Sequence, residues 1–226
     1  MTFAIAGRCE QTGRLGVAIS THPYGVGARC PFIAPNLGIC VTMARTDPRL
    51  GPLGLNLLRL GYSAKRTLDE IAASDPNIEW RQVCVIDRDG NAAARTGALN
   101  SVWSGALTAR NVVAMGNYLT SARTAETMFE SWMGSEGGIL EDRLLAALEA
   151  GRDAGGQVGG QQSSALLSFA SEIYAYCDVR VDAHDEPIGE LRRIYALQRP
   201  LLEYYYLRPK TPDAVGREEE WLARPR

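Results

Sequence analysis

The chain has 226 residues, enough for one full-sized core, and its 46% hydrophobic and 22% charged residues are ordinary for a globular protein. A net charge of −2 gives no global field that favours nucleic acid or an anionic membrane. Five scattered cysteines and two histidines lack the spacing of a zinc site, and no apolar run approaches the roughly 20 residues of a membrane span. We therefore expect a soluble cytoplasmic protein with reduced thiols, no metal and no other cofactor.

Apolar periodicity and turn residues predict eight strands and five helices. The strands are predicted over residues 2–7, 15–21, 37–44, 80–87, 91–96, 111–115, 163–170 and 174–181. The helices are predicted over residues 53–60, 64–73, 122–133, 139–150 and 187–206, the last one bent or ended at Pro200. Hairpin connections dominate this order, so the pattern predicts two largely antiparallel sheets packed face to face with helices outside, an α+β fold.

The pattern predicts one domain over residues 1–207, followed by a charged, proline-containing tail over residues 208–226. The glycine-rich segment 151–160 follows a helix and lacks the Gly-Lys-Ser/Thr ending of a phosphate-binding loop. It is interpreted as a mobile flap.

Thr2 is the residue with the clearest chemical potential. It follows Met1 directly and opens an apolar run. Excision of the initiator methionine is favoured when the second residue is small, and it would leave a threonine with a free α-amine. The pKa of an α-amine is about 7.7–8.0, against about 10.4 for lysine, so Thr2 would carry both a nucleophile and a base near neutral pH.

An ordered set of motifs runs through the chain. In sequence order they are Met1-Thr2-Phe3-Ala4-Ile5, residues 13–18, Asp47-Pro48-Arg49-Leu50-Gly51, residues 81–87, Thr96-Gly97, Trp103-Ser104-Gly105, Gly116-Asn117 and Asp178-Val179-Arg180-Val181-Asp182, followed by His184 and residues 187–193. Together they resemble the bacterial domain of unknown function 1028 family over residues 2 to about 197. Ala4, Asp47 and Leu50 depart from the family's usual Ser, Asn and Tyr, which indicates a different substrate if the family uses the latter two positions.

The resemblance implies the four-layer αββα sandwich of N-terminal nucleophile hydrolases, with Thr2 as the catalytic nucleophile. The independent interpretation of the strand and helix order gives the same architecture. Attack by the Thr2 hydroxyl on an amide carbonyl, with its own amine accepting the proton, creates an oxyanion that needs fixed donors.

Four polar residues beside apolar strands are candidates for this site. Asn117 follows Gly116 at the end of a strand and is the preferred oxyanion donor, while His22 follows the strand that should pair with the one carrying Thr2. Gln82 and Gln162 are candidate substrate-binding amides. The alternative for each is a satisfied structural role in a turn, a cap or the core.

Charged residues provide a second set of candidates for binding the substrate. Arg49 lies in a turn fixed by prolines and has the planar fork that suits a carboxylate, the alternative being a surface ion pair. Asp178, Arg180 and Asp182 alternate along one strand, so they share a face that is either solvated or an ion-pair network able to orient the Thr2 amine.

The sequence thus favours an amidohydrolase that cleaves a small amide, one with a carboxylate, after Met1 is removed. We expect a homodimer that binds neither nucleic acid nor membrane. The principal alternative is a catalytically silent member of the fold that acts in binding or assembly. A cysteine-dependent acyl transferase using Cys30 or Cys40 is a weaker alternative, because no acid or histidine is placed to activate either thiol.

Overall fold

The computed structural model describes residues 1–224, within which ten strands and eight α-helices form a single packed body. The strands are β1 (Thr2–Arg8), β2 (Leu15–Thr21), β3 (Pro31–Ala34), β4 (Gly38–Ala44), β5 (Arg81–Asp87), β6 (Ala92–Thr96), β7 (Trp103–Ala109), β8 (Val112–Leu119), β9 (Ser163–Phe169) and β10 (Cys177–Val181). The helices are α1 (Leu50–Arg59), α2 (Ala64–Ser74), α3 (Arg123–Gly134), α4 (Leu140–Asp153), α5 (Pro187–Gln198), α6 (Leu202–Leu207), α7 (Pro212–Val215) and α8 (Glu218–Leu222).

Two antiparallel sheets make up the centre of the molecule. The larger has the strand order β10-β9-β2-β1-β8-β7, and the smaller has the order β3-β4-β5-β6. β1 is therefore an interior strand, paired with β2 on one side and with β8 on the other.

Hydrophobic packing divides the described chain into four layers. One core cluster lies between the larger sheet and α3, α4 and α5, a second lies between the two sheets, and a third lies between the smaller sheet and α1 and α2. Successive side chains of a strand point to opposite faces, so Phe3 and Ile5 pack towards the helices while Ala4 and Ala6 pack between the sheets. The four-layer αββα sandwich implied by the resemblance is confirmed.

Close packing of helix on sheet requires small residues in β1. A Cβ atom at Gly7 would collide with the indole ring of Trp132 on α3. The helix layer consequently lies tight against the central strand that carries Thr2 at its start.

The predicted elements are present, with ends that differ by up to four residues, so that Asn117 lies within β8 and β10 starts only at Cys177. The larger differences fall at short or weakly patterned segments. β3 and β7 were missed, since β3 has four residues and begins at a proline, and β7 is half-exposed and rich in small residues. α1 begins at Leu50, inside the predicted turn, because Pro52 lies in the first helical turn, where no intrahelical N–H bond is lost. Pro200 interrupts the last long helix with a 3₁₀ turn, as predicted.

The segment assigned to the tail packs against the domain up to residue 224. Val215 on α7 is buried, and the Trp221 ring on α8 lies 5.8 Å from the Tyr204 ring, centroid to centroid. Trp221 Nε1 also donates to Pro200 O at 3.3 Å. The final two residues of the predicted tail lie outside the described part of the chain. Among residues 1–224, no helix is long and apolar enough to cross a membrane.

Candidate functional site

Polar side chains gather between the sheets at the end of the sandwich where β1 begins. Thr2 lies directly opposite Thr21 of β2 and Asn117 of β8 in the strand register. The side chains of these three residues lie on the faces of their strands that pack between the sheets. Gln82 of β5, in the smaller sheet, lies on the corresponding face opposite them. All four are at most 5% exposed, so the site is built into the edge of the core.

The hydroxyl of Thr2 belongs to a short hydrogen-bonded chain. Thr2 Oγ1 lies 2.8 Å from Thr21 Oγ1, and Thr21 Oγ1 in turn donates to Met1 O. A hydroxyl has one proton to donate, so the Thr21 proton is committed to Met1 O and Thr2 must be the donor between the two threonines. The proton that a nucleophilic Thr2 would lose therefore points at Thr21.

Gln82 forms hydrogen bonds with both sheets, beside the hydrogen-bonded pair of threonines. Its Nε2 lies 3.0 Å from Gly105 O and 2.9 Å from Gly116 O, both in the larger sheet, and 2.9 Å from Thr96 Oγ1 in the smaller sheet. Carbonyl oxygens only accept, so the amide nitrogen must face them and the orientation of Gln82 is fixed. Its Oε1 then accepts from Asn117 Nδ2 at 3.1 Å.

The orientation of Gln82 determines which atom Asn117 presents. Since Asn117 Nδ2 faces Gln82, Asn117 Oδ1 points elsewhere, and it is buried without a hydrogen-bond partner. Buried acceptors are nearly always paired, so an orphaned one beside Thr2 marks a place for a donor. The sequence suggested Asn117 as an oxyanion donor, and the geometry leaves it one N–H besides a free acceptor.

The backbone around Asn117 is held in uncommon conformations. Tyr118 has φ 57° and Val102 has φ 58°, the left-handed region that non-glycine residues rarely occupy. The pairing of β7 with β8 shifts register between Trp103 and Gly105, and Tyr118 N donates to Ser104 Oγ at 3.3 Å. Such strain persists where the surrounding structure enforces it and is common at functional sites.

The glycine-rich segment lies over the start of β1. A Cβ atom at Gly159 would be 3.9 Å from Met1 Sδ, so this segment covers the first residue. It is anchored, because Gly156 O accepts from Thr120 Oγ1 at 3.3 Å and from Thr124 Oγ1 at 3.0 Å. Gln157, 3% exposed, has a buried Oε1 without a partner, a second orphaned acceptor at this end of the sandwich.

The other two polar candidates lie next to Thr21. His22 follows it in the chain, is half-buried, and has a buried Nδ1 without a hydrogen-bond partner. Gln162 N donates to Thr21 O at 2.8 Å, so its backbone joins the same corner. Within residues 1–224, no hydrogen bond connects His22 directly with Thr2 or Asn117.

Arg49 is exposed and already paired. Its side chain is 89% exposed, and its Nε and Nη2 donate to the two carboxylate oxygens of Asp47 at 2.9 and 2.7 Å. These bonds hold the pKa of Asp47 down at about 2. A substrate carboxylate would meet only the other edge of the guanidinium, or would displace Asp47.

The charged residues of β10 lie away from Thr2. β10 is an edge strand separated from β1 by β9 and β2, and Asp178 and Arg180 lie on its exposed face. Arg180 Nε donates to Asp178 Oδ1 at 2.7 Å, while Asp182 lies just beyond the strand and is exposed. Of the two alternatives, Asp178 and Arg180 therefore form an ion pair on an exposed face, and they do not lie beside the Thr2 amine.

Burial raises the pKa of the candidate thiols and lowers the pKa of the terminal amine. All five cysteines are free and buried, and burial raises the pKa of Cys30 and raises that of Cys40 to about 12, which suppresses the thiolate. Burial lowers the pKa of the Met1 amine, which favours its neutral form. No group of histidine, cysteine, aspartate or glutamate residues within 1–224 is placed to hold a metal ion.

Sequence reasoning missed two residues of this site, Thr21 and Gln157. Thr21 could have been found from the predicted hairpin, because pairing residues 2–7 with 15–21 about the turn places it opposite Thr2. Gln157 reaches the site through an isolated bridge to Leu119, a contact that no local pattern signals.

Comparison with known proteins places the chain among similar sequences and structures. It matches the model of a family of unknown function, DUF1028, over residues 2–191. The crystal structure of a DUF1028 protein from Silicibacter pomeroyi is similar, with 31% identity, a TM-score of 0.81, and coverage of 87% of this chain and 88% of that chain.

Two structures of Anbu, an ancestral beta-subunit, match more distantly. The one from Yersinia bercovieri has 11% identity, a TM-score of 0.45, and coverage of 90% of this chain and 96% of that chain. A Gly-1 mutant from Hyphomicrobium sp. strain MC1 has 13% identity, a TM-score of 0.42, and coverage of 91% and 100%. No match was found among curated proteins.

Proposed function

The chain belongs to the DUF1028 family of unknown function, and we propose that it is an N-terminal threonine amidohydrolase, active once Met1 has been removed. One observation carries the proposal: the Thr2 hydroxyl is aligned by Thr21 between the sheets, beside the orphaned, buried Oδ1 of Asn117. A purely structural threonine pair does not require an unpaired acceptor at its side.

Loss of Met1 converts the hydrogen-bonded chain into a proton path. The Met1 carbonyl that accepts from Thr21 disappears, and the amine nitrogen of Thr2 remains next to its position. Thr2 Oγ1 attacks the substrate carbonyl carbon, its proton passes to Thr21 Oγ1, and the Thr21 proton passes to the Thr2 amine. The amine then returns a proton to the leaving amine as the C–N bond breaks.

Asn117 and Gln157 contribute acceptors to this scheme. Asn117 Oδ1 orients the Thr2 amine, or the ammonium that forms when it accepts the proton. The remaining N–H of Asn117 is available to the oxyanion, and Gln157 Oε1 accepts an N–H of the substrate amide. Water then hydrolyses the acyl-threonine intermediate with the amine again acting as base.

The substrate proposed is a small amide that carries a carboxylate. Support comes from Arg49, which stands on the loop after β4, and β4 ends beside the strand that carries Gln82. The outer edge of its guanidinium has donors left for an anion after Asp47 is paired. The enzyme would act in the cytoplasm as a homodimer, without a cofactor.

The test begins with the N-terminus. Intact-mass analysis of the bacterially expressed protein should give the mass without Met1, and a screen of N-acylated amino acids and dicarboxylic monoamides should find turnover. Thr2→Ala should lose it while keeping its melting temperature, and Thr12→Ala, in the exposed β1–β2 turn, should keep both. Retained Met1, or equal turnover by Thr2→Ala, would favour the alternative of a silent binding protein.

A further inference from the structure

A second cavity lies at the opposite end of β1 from Thr2. It has a volume of about 190 Å³ and is lined by Arg8 at the end of β1, Arg110 in the β7–β8 turn and Arg143 in the first turn of α4. Six residues of extended strand separate its floor from Thr2, roughly 20 Å. The cavity is therefore independent of the proposed catalytic site.

The three guanidinium groups lack carboxylate partners. Within residues 1–224, none of the three is in an ion pair, although more than half of the described arginines are. Arg8 Nη1 donates to Asn111 Oδ1 at 3.3 Å, which leaves its Nε and Nη2 unused. Arg110 is exposed, and nothing in the described chain satisfies its five N–H donors.

Arg143 is held rigidly without being neutralised. Its guanidinium lies 3.7 Å above the centroid of the Trp132 ring, Nε donates to Ser135 Oγ at 3.2 Å, and Nη2 donates to Trp132 O at 3.0 Å. These neutral partners leave Nη1 available. Burial lowers the pKa of Arg143, as expected for a cation removed from water with no counter-charge in contact.

Two carboxylates also line the cavity. Glu10 and Glu136 lie farther than 4 Å from every described guanidinium nitrogen, so they reduce the positive field without occupying the arginine forks. Three cations against two anions give the lining of the cavity a net positive charge, and Arg8 and Arg143 keep N–H donors that no described protein group uses. Guanidinium forks of this kind match the planar geometry of carboxylate and the oxygens of phosphate.

We propose that this cavity binds a small, compact dianion through Arg8, Arg110 and Arg143. The volume of the cavity suits a small ligand, because 190 Å³ is below the roughly 300–1,000 Å³ of pockets that hold drug-sized molecules. Phosphate and a short dicarboxylate share the required charge and oxygen geometry, and both are small enough for this volume.

Binding is tested on the full chain by calorimetric titration with inorganic phosphate and, separately, with succinate, at ionic strength held constant with sodium chloride. We expect one saturable site for at least one of the two, and the anion that binds identifies the chemistry. Arg110→Gln and Arg143→Gln should weaken binding about tenfold or more, as expected for lost charged hydrogen bonds. Arg59→Gln, on the outer surface of α1, should leave it unchanged.

The two carboxylates that line the cavity provide a test of whether the bound ligand is negatively charged. Glu136→Gln should tighten binding of the same anion, because a repulsive charge is removed, whereas a merely structural cavity would show no such gain. Arg110 is exposed, so its variant keeps the proposal testable even if Arg143→Gln does not fold. Absence of saturable binding for both anions, or unchanged binding by Arg110→Gln, would overturn the proposal whether or not Thr2 is catalytic.

Discussion

Thr2 Oγ1 lies 2.8 Å from Thr21 Oγ1, and the same Thr21 hydroxyl donates to the carbonyl of Met1. One side chain thus contacts both the proposed nucleophile and the peptide group whose nitrogen becomes the proposed base. This position makes Thr21 the natural carrier of the proton between the two.

Removing the Thr21 hydroxyl is expected to slow the chemical step. Thr21→Val keeps the shape of the buried side chain but breaks the path, and we expect kcat to fall on the order of 10²-fold, the lower end of what positioned proton transfer contributes. KM should change little, because Thr21 contacts Thr2 and not the substrate.

Thr21→Ser is the matched control, since it keeps the hydroxyl, and it should retain most of the activity. The comparison is made by steady-state kinetics on the best substrate of the amide screen. Equal kcat for Thr21→Val and the native chain would show that the proton reaches the amine without Thr21.

Gln82 is expected to stabilise the junction of the sheets more than any other polar residue of the site. Gln82→Leu removes the hydrogen bonds to Gly105 O and Gly116 O and leaves the buried Asn117 Nδ2 without the partner it has on Gln82. Each such group costs about 1–3 kcal/mol, so we expect the free energy of unfolding to fall by about 3 kcal/mol after partial relaxation.

Urea unfolding measures this loss. Gln11→Leu, at an exposed position in the β1–β2 turn, should change the free energy of unfolding by less than about 0.5 kcal/mol. A loss for Gln82→Leu as small as that of Gln11→Leu would mean that the bridge between the sheets is replaced by other contacts.

Activity is expected to depend on the ionisation of the α-amine. Burial lowers the pKa of the Met1 amine, and the amine of a processed chain belongs to Thr2, a residue only 5% exposed. The neutral amine is the base, so kcat/KM should be constant above its pKa and fall tenfold per pH unit below it.

The pH profile of kcat/KM should therefore break below the usual value of about 8 for an α-amine. Thr21→Ser should show the same break, because its amine is unchanged. A profile that is flat through neutral pH down to pH 5 would argue against the amine as the base.

Asp47 is expected to compete with an anionic substrate for Arg49. Asp47 and Arg49 form a bidentate pair, and the pKa of Asp47 near 2 keeps it ionised throughout the range of an activity assay. Asp47→Asn, which removes the competing carboxylate, should free the fork and lower KM for a carboxylate-bearing amide several-fold. Arg49→Lys should raise KM, because lysine lacks the fork.

Neutral amides of the same size serve as the comparison for these two variants and should be unaffected. The guanidinium side of the pair is exposed, so Arg49→Lys should leave the free energy of unfolding nearly unchanged. Unchanged KM in both variants on the anionic substrate would remove Arg49 from the site and with it the support for a carboxylate.

The sequence by itself determined the family and the layers of this protein. The apolar runs of β1 and β2, together with hairpin turns between most strands, indicate buried and mainly antiparallel sheets, and amphipathic helices must cover their outer faces. The sequence also singled out Thr2 as a candidate nucleophile, because it directly follows Met1.

Tertiary structure alone decided which polar groups meet. Asn117 contacts Gln82 across 35 residues, and Gln157 reaches the site through a bridge to Leu119, contacts that depend on the strand order and not on local spacing. The order also placed Asp178 and Arg180 on an exposed edge, away from Thr2. Periodicity fixes the face on which a side chain lies, but the neighbour across the sheet depends on how the layers pack, which is set by the whole chain.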